Sequence, residues 1–90
     1  MTYRIEFKPA GRRSLTKLDS FIRRKVIVDI EKLAESPRPF GVEKLKGADR
    51  LYRVYVGPGN DYLVIYEIQD IILLIPVVKV GDRKDVYRSL

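Results

Sequence analysis

Hydrophobic residues alternate with polar ones in three stretches of the chain, a spacing that predicts β-strands with one buried face. The first stretch covers residues 2–7, and the other two cover residues 51–56 and 62–68. The five residues between the last two, 57–61, read Gly-Pro-Gly-Asn-Asp, a composition typical of tight turns. We therefore predict a half-buried first strand and, later in the chain, a β-hairpin.

A fourth strand is predicted from a continuous apolar run at residues 71–80. A run this rich in β-branched residues is typical of a strand covered on both faces, so it should lie at the centre of the sheet. Pro76 has no N–H to donate, and we expect a bulge or a gap in the pairing there. Gly81 should end the strand and leave the charged residues that follow at its exit.

Between the first strand and the hairpin, the hydrophobic spacing changes to three and four residues, which predicts helices. Asp19-Ser20 interrupts this stripe with helix-capping chemistry, so two antiparallel helices are expected at about 10–18 and 20–35. Pro37 keeps the residue before it out of the α region and closes the second helix. The predicted fold class is α+β, in the order β-α-α-β-β-β. Residues 1–90 should form one domain, a four-stranded, largely antiparallel sheet with a helical hairpin on one face.

The alternation also assigns Leu63 and Ile65 to the sheet face opposite the helices. By this prediction the chain has no further element to cover them. An uncovered apolar face beside basic residues favours a bound partner, although a dimer contact or a tolerated patch would show the same pattern.

The amino-acid composition limits the kinds of catalysis and metal binding that the chain can perform. The chain has no Cys and no His, so disulfides, thiolate metal sites and the commonest general base are excluded. Any catalysis must use Lys, Arg, Tyr, Asp or Glu, and we expect neither a metal nor a cofactor. We find no secretory or membrane-spanning segment in the sequence and expect a cytoplasmic protein that does not bind a membrane.

The net charge of +6 resides entirely in the first 25 residues, where eight bases face only Glu6 and Asp19. Such a concentration attracts polyanions, either nucleic acid or an acidic protein segment. A solvated helix face is the alternative. The eight bases are Arg4, Lys8, Arg12, Arg13, Lys17, Arg23, Arg24 and Lys25.

Four motifs in the second half of the chain carry a family resemblance through their order and spacing. They are Leu45–Gly47 (LKG), Leu51–Val54 (LYRV), Asp61–Glu67 (DYLVIYE) and Val80–Tyr87 (VGDRKDVY). Together with the basic helical hairpin, they resemble the RelE/ParE toxins of bacterial toxin–antitoxin pairs. The resemblance implies a small sheet with two helices on one side. It also implies an mRNA interferase that cuts messenger RNA inside the ribosome and is held inactive by an antitoxin that wraps it.

The resemblance assigns roles to four residues. Arg53 falls on a basic position of the open sheet face that stabilises the phosphate, and alternation alone places Arg53 on that face. Arg83 falls on the arginine that binds the transition state. Tyr87 falls on a tyrosine that stacks on or orients the nucleotide, and Lys46 on a loop base that contacts backbone phosphate.

Two positions depart from the family pattern. Tyr55 stands where the best-known RelE enzymes carry a lysine, the suggested general base, and Leu63 stands where arginine is common. Tyrosine is a poor base at neutral pH, so Tyr55 is expected to stack rather than to move a proton. Lys79 or Lys84 could replace the missing base or bind phosphate, and each could equally be a solvated charge.

Function is therefore expected to be metal-free cleavage of mRNA through attack by the substrate's own 2′-hydroxyl, slow on free RNA and faster on the ribosome. The expected partners are a cognate antitoxin, the ribosome and mRNA, with operator DNA as a further contact of the toxin–antitoxin complex. One alternative is a ParE-like toxin that binds DNA gyrase and cleaves no RNA. Another is a protein-binding module without catalysis.

Overall fold

The computed structural model of the protein describes residues 2–47 and 50–88, the last three by their backbone alone. Within these residues the predicted α+β class and order are confirmed, and a two-residue strand and a C-terminal helix are added, so the described residues form five strands rather than four. The elements are β1 (Arg4–Phe7), α1 (Pro9–Thr16), α2 (Ser20–Lys32), β2 (Glu43–Lys44), β3 (Leu51–Val56), a 3-10 turn (Pro58–Asn60), β4 (Tyr62–Glu67), β5 (Leu74–Asp82) and α3 (Arg83–Arg88).

The strands form one mixed sheet in the order β1-β5-β4-β3-β2. Only the outer pair β1 and β5 is parallel, and the other pairs are antiparallel. The predicted hairpin is confirmed as β3 and β4, paired from Leu51 with Glu67 to Val56 with Tyr62. The apolar run does form an interior strand, β5, and the middle position of the sheet belongs to β4.

Strand β5 begins three residues later than the sequence predicts. Residues 71–73 lie instead in a turn that is closed by two backbone hydrogen bonds, Gln69 N–H to the Leu74 carbonyl (2.9 Å) and Leu74 N–H to the Gln69 carbonyl (3.1 Å). Leu73 adopts a positive φ of 54°, which is incompatible with a strand. The apolar composition of these residues did not reveal this turn.

The expected bulge lies two residues after Pro76. Ile65 of β4 pairs with Lys79 of β5, and the next residue, Tyr66, pairs with Val77, so Val78 is the extra residue. The expectation that Gly81 ends the strand is wrong, because Gly81 pairs with Leu63 and the strand continues to Asp82.

The helices are placed by specific backbone contacts. The Asp19 side chain accepts a hydrogen bond from the Phe21 N–H (3.1 Å) and caps α2, as predicted. Beyond Val77, β5 no longer has β1 as a neighbour, and Ser14 Oγ of α1 accepts the Val80 N–H instead (3.0 Å). Gly11 permits this approach, since a Cβ there would overlap the Val77 carbonyl oxygen. Across residues 2–47 and 50–88, no helix has the length and apolar composition that a membrane crossing requires.

The main core lies between the sheet and the helical hairpin. Tyr66 of β4 and Ile75 and Val77 of β5 are fully buried there, together with Val26 and Ile30 of α2. Burial of this kind supplies the main driving force for folding. We call this side the helix-covered face.

The opposite side, which we call the open face, is less exposed than the sequence analysis expected. Leu63 and Ile65 are 0% and 1% exposed, so the expectation that the chain leaves them uncovered is wrong. Side chains from the sheet itself and from the loop after β2 cover them. We call this group the open-face cluster, and it consists of Leu63, Ile65, Leu45, Leu51, Tyr55 and Val78.

Candidate functional site

Arg53 lies on the open face, in the middle of a row that crosses four strands. Its neighbours across the sheet are Glu43 on one side and Ile65 on the other, and Lys79 lies opposite Ile65. Arg53 Nη2 donates to Glu43 Oε2 at 3.0 Å, and the Arg53 side chain is 24% exposed. The ion pair therefore holds a partly buried guanidinium against the sheet.

Arg83 reaches the same face from the exit of β5. Two hydrogen bonds from backbone N–H groups fix the start of α3. The Arg83 N–H donates to the Asp61 carbonyl (3.1 Å), and the Lys84 N–H donates to the side-chain oxygen Asp82 Oδ1 (2.9 Å). The Arg83 Cζ then lies 4.9 Å from the centroid of the Tyr55 ring, within the range of a cation–π contact.

Tyr55 lies next to both arginines. Tyr55 and Arg53 are two residues apart in β3, so their side chains share a face and are separated by about 7 Å along the strand. Arg83 lies over the ring of Tyr55. The structure therefore brings Arg53, Tyr55 and Arg83 together on the open face, above the apolar floor of the open-face cluster.

The other candidate residues of the sequence analysis are dispersed. Lys79 belongs to the Arg53 row. Lys84 is exposed in α3 and lines a cavity of about 410 Å³ with Asp61, Tyr62 and Asp82. Lys46 is exposed in the turn after Leu45, whose side chain packs on the open-face cluster. The backbone of Tyr87 belongs to α3, but its side chain lies outside the described residues.

Two guanidinium groups beside an aromatic ring and a lysine form a surface that suits a phosphate ester. Guanidinium binds phosphate oxygens in a bidentate manner and keeps its charge at any physiological pH. A base can stack on an aromatic ring or on the plane of a guanidinium. The arrangement can therefore hold an anion and orient a nucleotide.

The sequence analysis missed Glu43, the partner of Arg53. Glu43 belongs to β2, which has only two residues, and so short a strand has no periodicity to detect. The signal that remains is the position of an acidic residue just before a loop that leads into the Arg53 strand. That signal becomes specific only when the register pairs Glu43 with Arg53.

A second polar cluster, also missed, lies at the other end of the sheet. Asp70 accepts hydrogen bonds from Arg38 Nη2 (2.9 Å), Arg38 Nη1 (3.3 Å) and the Tyr3 hydroxyl (2.5 Å). The hydrogen bonds from Arg38 and, to a smaller extent, from Tyr3 lower the pKa of Asp70. The bond to Asp70 in turn raises the pKa of Tyr3. We call these three residues the Asp70 network. Arg38 also lies 5.5 Å from the centroid of the Tyr52 ring.

Comparisons with known proteins agree with this architecture. A family model described as the ParE toxin of a type II toxin–antitoxin system, parDE, matches residues 5–87. A mutant of the E. coli toxin RelE in the free state is 26% identical, with a TM-score of 0.77 over 98% of this chain and 93% of that one. The search of curated proteins found no match.

Two structures of toxin–antitoxin complexes are also similar. The RelE–RelB complex of the archaeon Pyrococcus horikoshii contains a chain that is 31% identical, with a TM-score of 0.72 over 92% of this chain and 97% of that one. The intact E. coli RelBE complex contains one that is 25% identical, with a TM-score of 0.75 over 89% and 95%. The chain therefore belongs to the ParE toxin family of type II toxin–antitoxin systems and is a RelE-like toxin.

Proposed function

We propose that this toxin is a ribosome-dependent endoribonuclease that cleaves mRNA and is neutralised by a cognate antitoxin. The observation that carries the proposal is the meeting of Arg53 and Arg83 on the open face, where Tyr55 lies between them. Two guanidinium groups on one exposed surface can hold the two non-bridging oxygens of a single phosphodiester.

The chemistry needs no nucleophile from the protein. The 2′-hydroxyl oxygen attacks the adjacent phosphorus, the bond from phosphorus to the 5′-oxygen breaks, and a cyclic 2′,3′-phosphate and a 5′-hydroxyl form. One proton leaves the 2′-hydroxyl and one is delivered to the departing 5′-oxygen. Arg53 and Arg83 would stabilise the negative charge that develops on the phosphorane oxygens, a contribution that is usually the largest single one.

Tyr55 supports the site by holding Arg83. One face of its ring is within cation–π distance of the Arg83 guanidinium, so that face is not available to a base. We infer that Tyr55 is a positioning residue and that nucleotide stacking falls to the Arg83 plane and to Tyr87. The assignment of Tyr87 follows from the family resemblance.

For proton transfer, Lys79 is better placed than Lys84. Lys79 lies on the open face in the row of Arg53, whereas Lys84 lines the cavity at the start of β4 together with Arg83, Asp61 and Asp82. We assign Lys79 the role of base and Lys46 and Lys84 contacts with backbone phosphate.

The ribosome would supply the orientation that this small site lacks. Correct alignment of reacting groups can provide effective molarities of about 10⁵–10⁸ M. Cleavage should therefore be fast on translating ribosomes and slow on free RNA. Equal rates on both substrates would refute the ribosome-dependent mechanism.

The antitoxin is supported by the complexes of similar toxins, in which RelE proteins from E. coli and Pyrococcus horikoshii are bound to RelB. By analogy the partner of this chain is an acidic or amphipathic protein. Such a complex would also contact operator DNA if the antitoxin is the repressor of its own gene.

The decisive experiment is primer extension on a cellular transcript after induced expression, repeated with purified ribosomes. The wild-type toxin should give breaks phased with codons. Arg83→Ala and Arg53→Ala should each lower the cleavage rate by about 10²–10³, the loss typical of one donor to a developing oxyanion.

Lys32→Ala provides the control, since Lys32 is an exposed basic residue of α2 outside the charged first 25 residues. Its cleavage rate should equal that of the wild type. If all three variants cleave at the wild-type rate, the two open-face arginines have no part in the chemistry.

The second candidate is a toxin that binds DNA gyrase and cleaves no RNA. It is favoured by the match to the ParE family model and by Leu63, which is fully buried where an arginine is common. The primer-extension experiment separates the two, because a gyrase poison leaves transcripts uncut and changes the supercoiling of a plasmid.

A further inference from the structure

A cavity of about 690 Å³ lies at the end of the sheet remote from Arg83, where β4 turns into β5. Its lining includes Arg38, Lys44, Arg50, Asp70, Ile71 and Ile72. Strand β5 has nine residues between this turn and Arg83, which corresponds to about 30 Å of extended chain. The cavity therefore lies far from Arg83, and its lining residue Tyr52 packs on the main core, on the sheet face opposite its neighbour Arg53.

The two isoleucines at the cavity are exposed to an unusual degree. Ile71 is 98% exposed and Ile72 is 60% exposed, at neighbouring positions of one turn. Neither side chain belongs to the core clusters formed by the described residues. Adjacent apolar side chains in water have no stabilising role in the isolated chain, and such patches commonly mark interaction sites.

The turn that presents these isoleucines is rigidly held. Two backbone hydrogen bonds between Gln69 and Leu74 close it, and the Asp70 network ties it to Tyr3, just before β1, and to the segment after α2. Leu73 is kept at a positive φ of 54°, a conformation that persists only where surrounding contacts impose it. A partner that binds here would not have to order the turn, and preorganisation of this kind increases affinity.

The charge around the isoleucines defines the chemistry of that partner. Three basic side chains line the cavity, Arg38, Lys44 and Arg50, against the single carboxylate of Asp70. Asp70 is already bound by Arg38, so the positive charge that remains comes from Lys44 and Arg50. A complementary segment would carry aliphatic side chains with Asp or Glu beside them.

We propose that this cavity docks an acidic, aliphatic segment of the cognate antitoxin. An apolar side chain of that segment would rest against Ile71 and Ile72, and its carboxylates would lie beside Lys44 and Arg50. The proposal rests on the proposed function only in naming the antitoxin as the partner and does not require RNA cleavage. Anchorage here would hold the antitoxin about 30 Å from Arg83 and add to whatever contacts it makes at the arginine site.

The test is the affinity of the purified full-length toxin for its cognate antitoxin, measured by calorimetry. The double variant Ile71→Asp/Ile72→Asp should bind about thirtyfold more weakly, the loss expected for a hot spot of interface energy. Ile71→Ser should weaken binding less, and Arg50→Gln should reduce the dependence of the affinity on salt. Since both isoleucines are exposed, the folded state should be unaffected.

Val28→Asp is the matched control, since it also replaces an exposed aliphatic side chain with a carboxylate, in α2. If Val28→Asp weakens binding as much as Ile71→Asp, the effect is general repulsion and the proposal is overturned. Binding of the double variant within twofold of wild type overturns it as well. So does loss of self-association by Ile71→Asp with unchanged antitoxin affinity, which would make the turn a contact between two copies of this chain.

A direct readout uses the absence of cysteine from the chain. An environment-sensitive fluorophore on Ile71→Cys labels a single site, and its emission should shift to the blue when the antitoxin is added. An unchanged emission at saturating antitoxin overturns the proposal. These measurements are independent of the ribosome assay. If the isoleucine variants bind the antitoxin more weakly and the wild-type toxin cuts no RNA, the docking site is retained and the proposed function is refuted.

Discussion

The two faces of the sheet differ in what they bury. On the helix-covered face, twelve buried residues from strands and helices form one cluster, whereas the open-face cluster contains only two buried residues among those described. The open face instead carries Arg53, Glu43, Lys79 and, above Tyr55, Arg83. The buried apolar residues therefore lie mainly on one face of the sheet, and the charged side chains of the candidate site lie on the other.

This separation has a physical basis. Burial of unpaired charged side chains is unfavourable because desolvation costs more than their contacts return, and the proposed function requires these side chains to be accessible to a phosphate. A strand with alternating side chains lets one face be covered by helices while the other stays accessible. The open-face cluster supports the candidate site from below. The helix-covered face contributes most of the apolar burial that drives folding.

The largest expected effect is on the helix-covered face. Tyr66→Ala should lower the free energy of unfolding by about 3–5 kcal/mol, the range for removal of a buried aromatic ring, because Tyr66 is 0% exposed. Leu63→Ala on the open face should cost about 2–3 kcal/mol, at the low end of the range for leucine, because its partly exposed neighbours can relax. Urea unfolding measures both.

Tyr66→Phe is the control for this comparison. It removes only the hydroxyl that donates to the Pro37 carbonyl (2.7 Å), with an expected loss of about 0.5–1.5 kcal/mol. If Leu63→Ala is more destabilising than Tyr66→Ala, the main core does not lie where the helices cover the sheet.

A smaller effect is expected for Glu43→Gln on the open face. The Glu43 carboxylate occupies Arg53 Nη2 and, under the proposed function, would compete with a phosphate for it. Removal of that charge should tighten RNA binding about fivefold at low salt, the equivalent of about 1 kcal/mol for charges 4 Å apart in water. The free energy of unfolding should change by less than about 1 kcal/mol.

Glu6→Gln is the matched control for Glu43, because Glu6 forms an exposed ion pair with Arg4 in β1. RNA affinity measured by fluorescence anisotropy should not change in that variant. Weaker binding by Glu43→Gln would contradict competition and would mean that the carboxylate holds Arg53 in the orientation that RNA requires.

The smallest effect concerns the pH dependence of the Asp70 network. Because the pKa of Asp70 is lowered in the folded protein, its contribution is present above the ordinary aspartate value of about 4 and is lost as the pH falls through the lower folded value. Asp70→Asn should therefore be less stable than wild type at neutral pH and equal to it in strong acid.

The raised pKa of Tyr3 acts at the other end of the pH range. Its contribution is present below about pH 10, the ordinary value for tyrosine, and is lost as the pH rises through the higher folded value. Urea midpoints of wild type and Asp70→Asn across pH give the comparison. A difference that stays constant down to the lowest pH would show that the ionised carboxylate does not stabilise the turn.

The spacing of residues predicted the elements whose signals are local. The alternation in β3 and β4, the turn residues between them and the cap at Asp19 each act within a few positions, and all three predictions are confirmed. Alternation also assigned Arg53 and Tyr55 to one face before any contact was known.

The sequence by itself therefore determined which side of the sheet each strand residue occupies, since that depends only on the two-residue repeat of the strand. Tertiary structure alone decided what each of them meets: Glu43 beside Arg53, Arg83 over Tyr55, and Leu45 against the cluster of Leu63 and Ile65. Tertiary contacts also decided the turn at residues 71–73. Hydrogen bonds from distant Arg38 and Tyr3 to Asp70 hold this turn in place, so its apolar side chains lie outside the sheet. Contacts between residues far apart in the chain depend on register and on the closure of loops, and neither is written in the periodicity of a single segment.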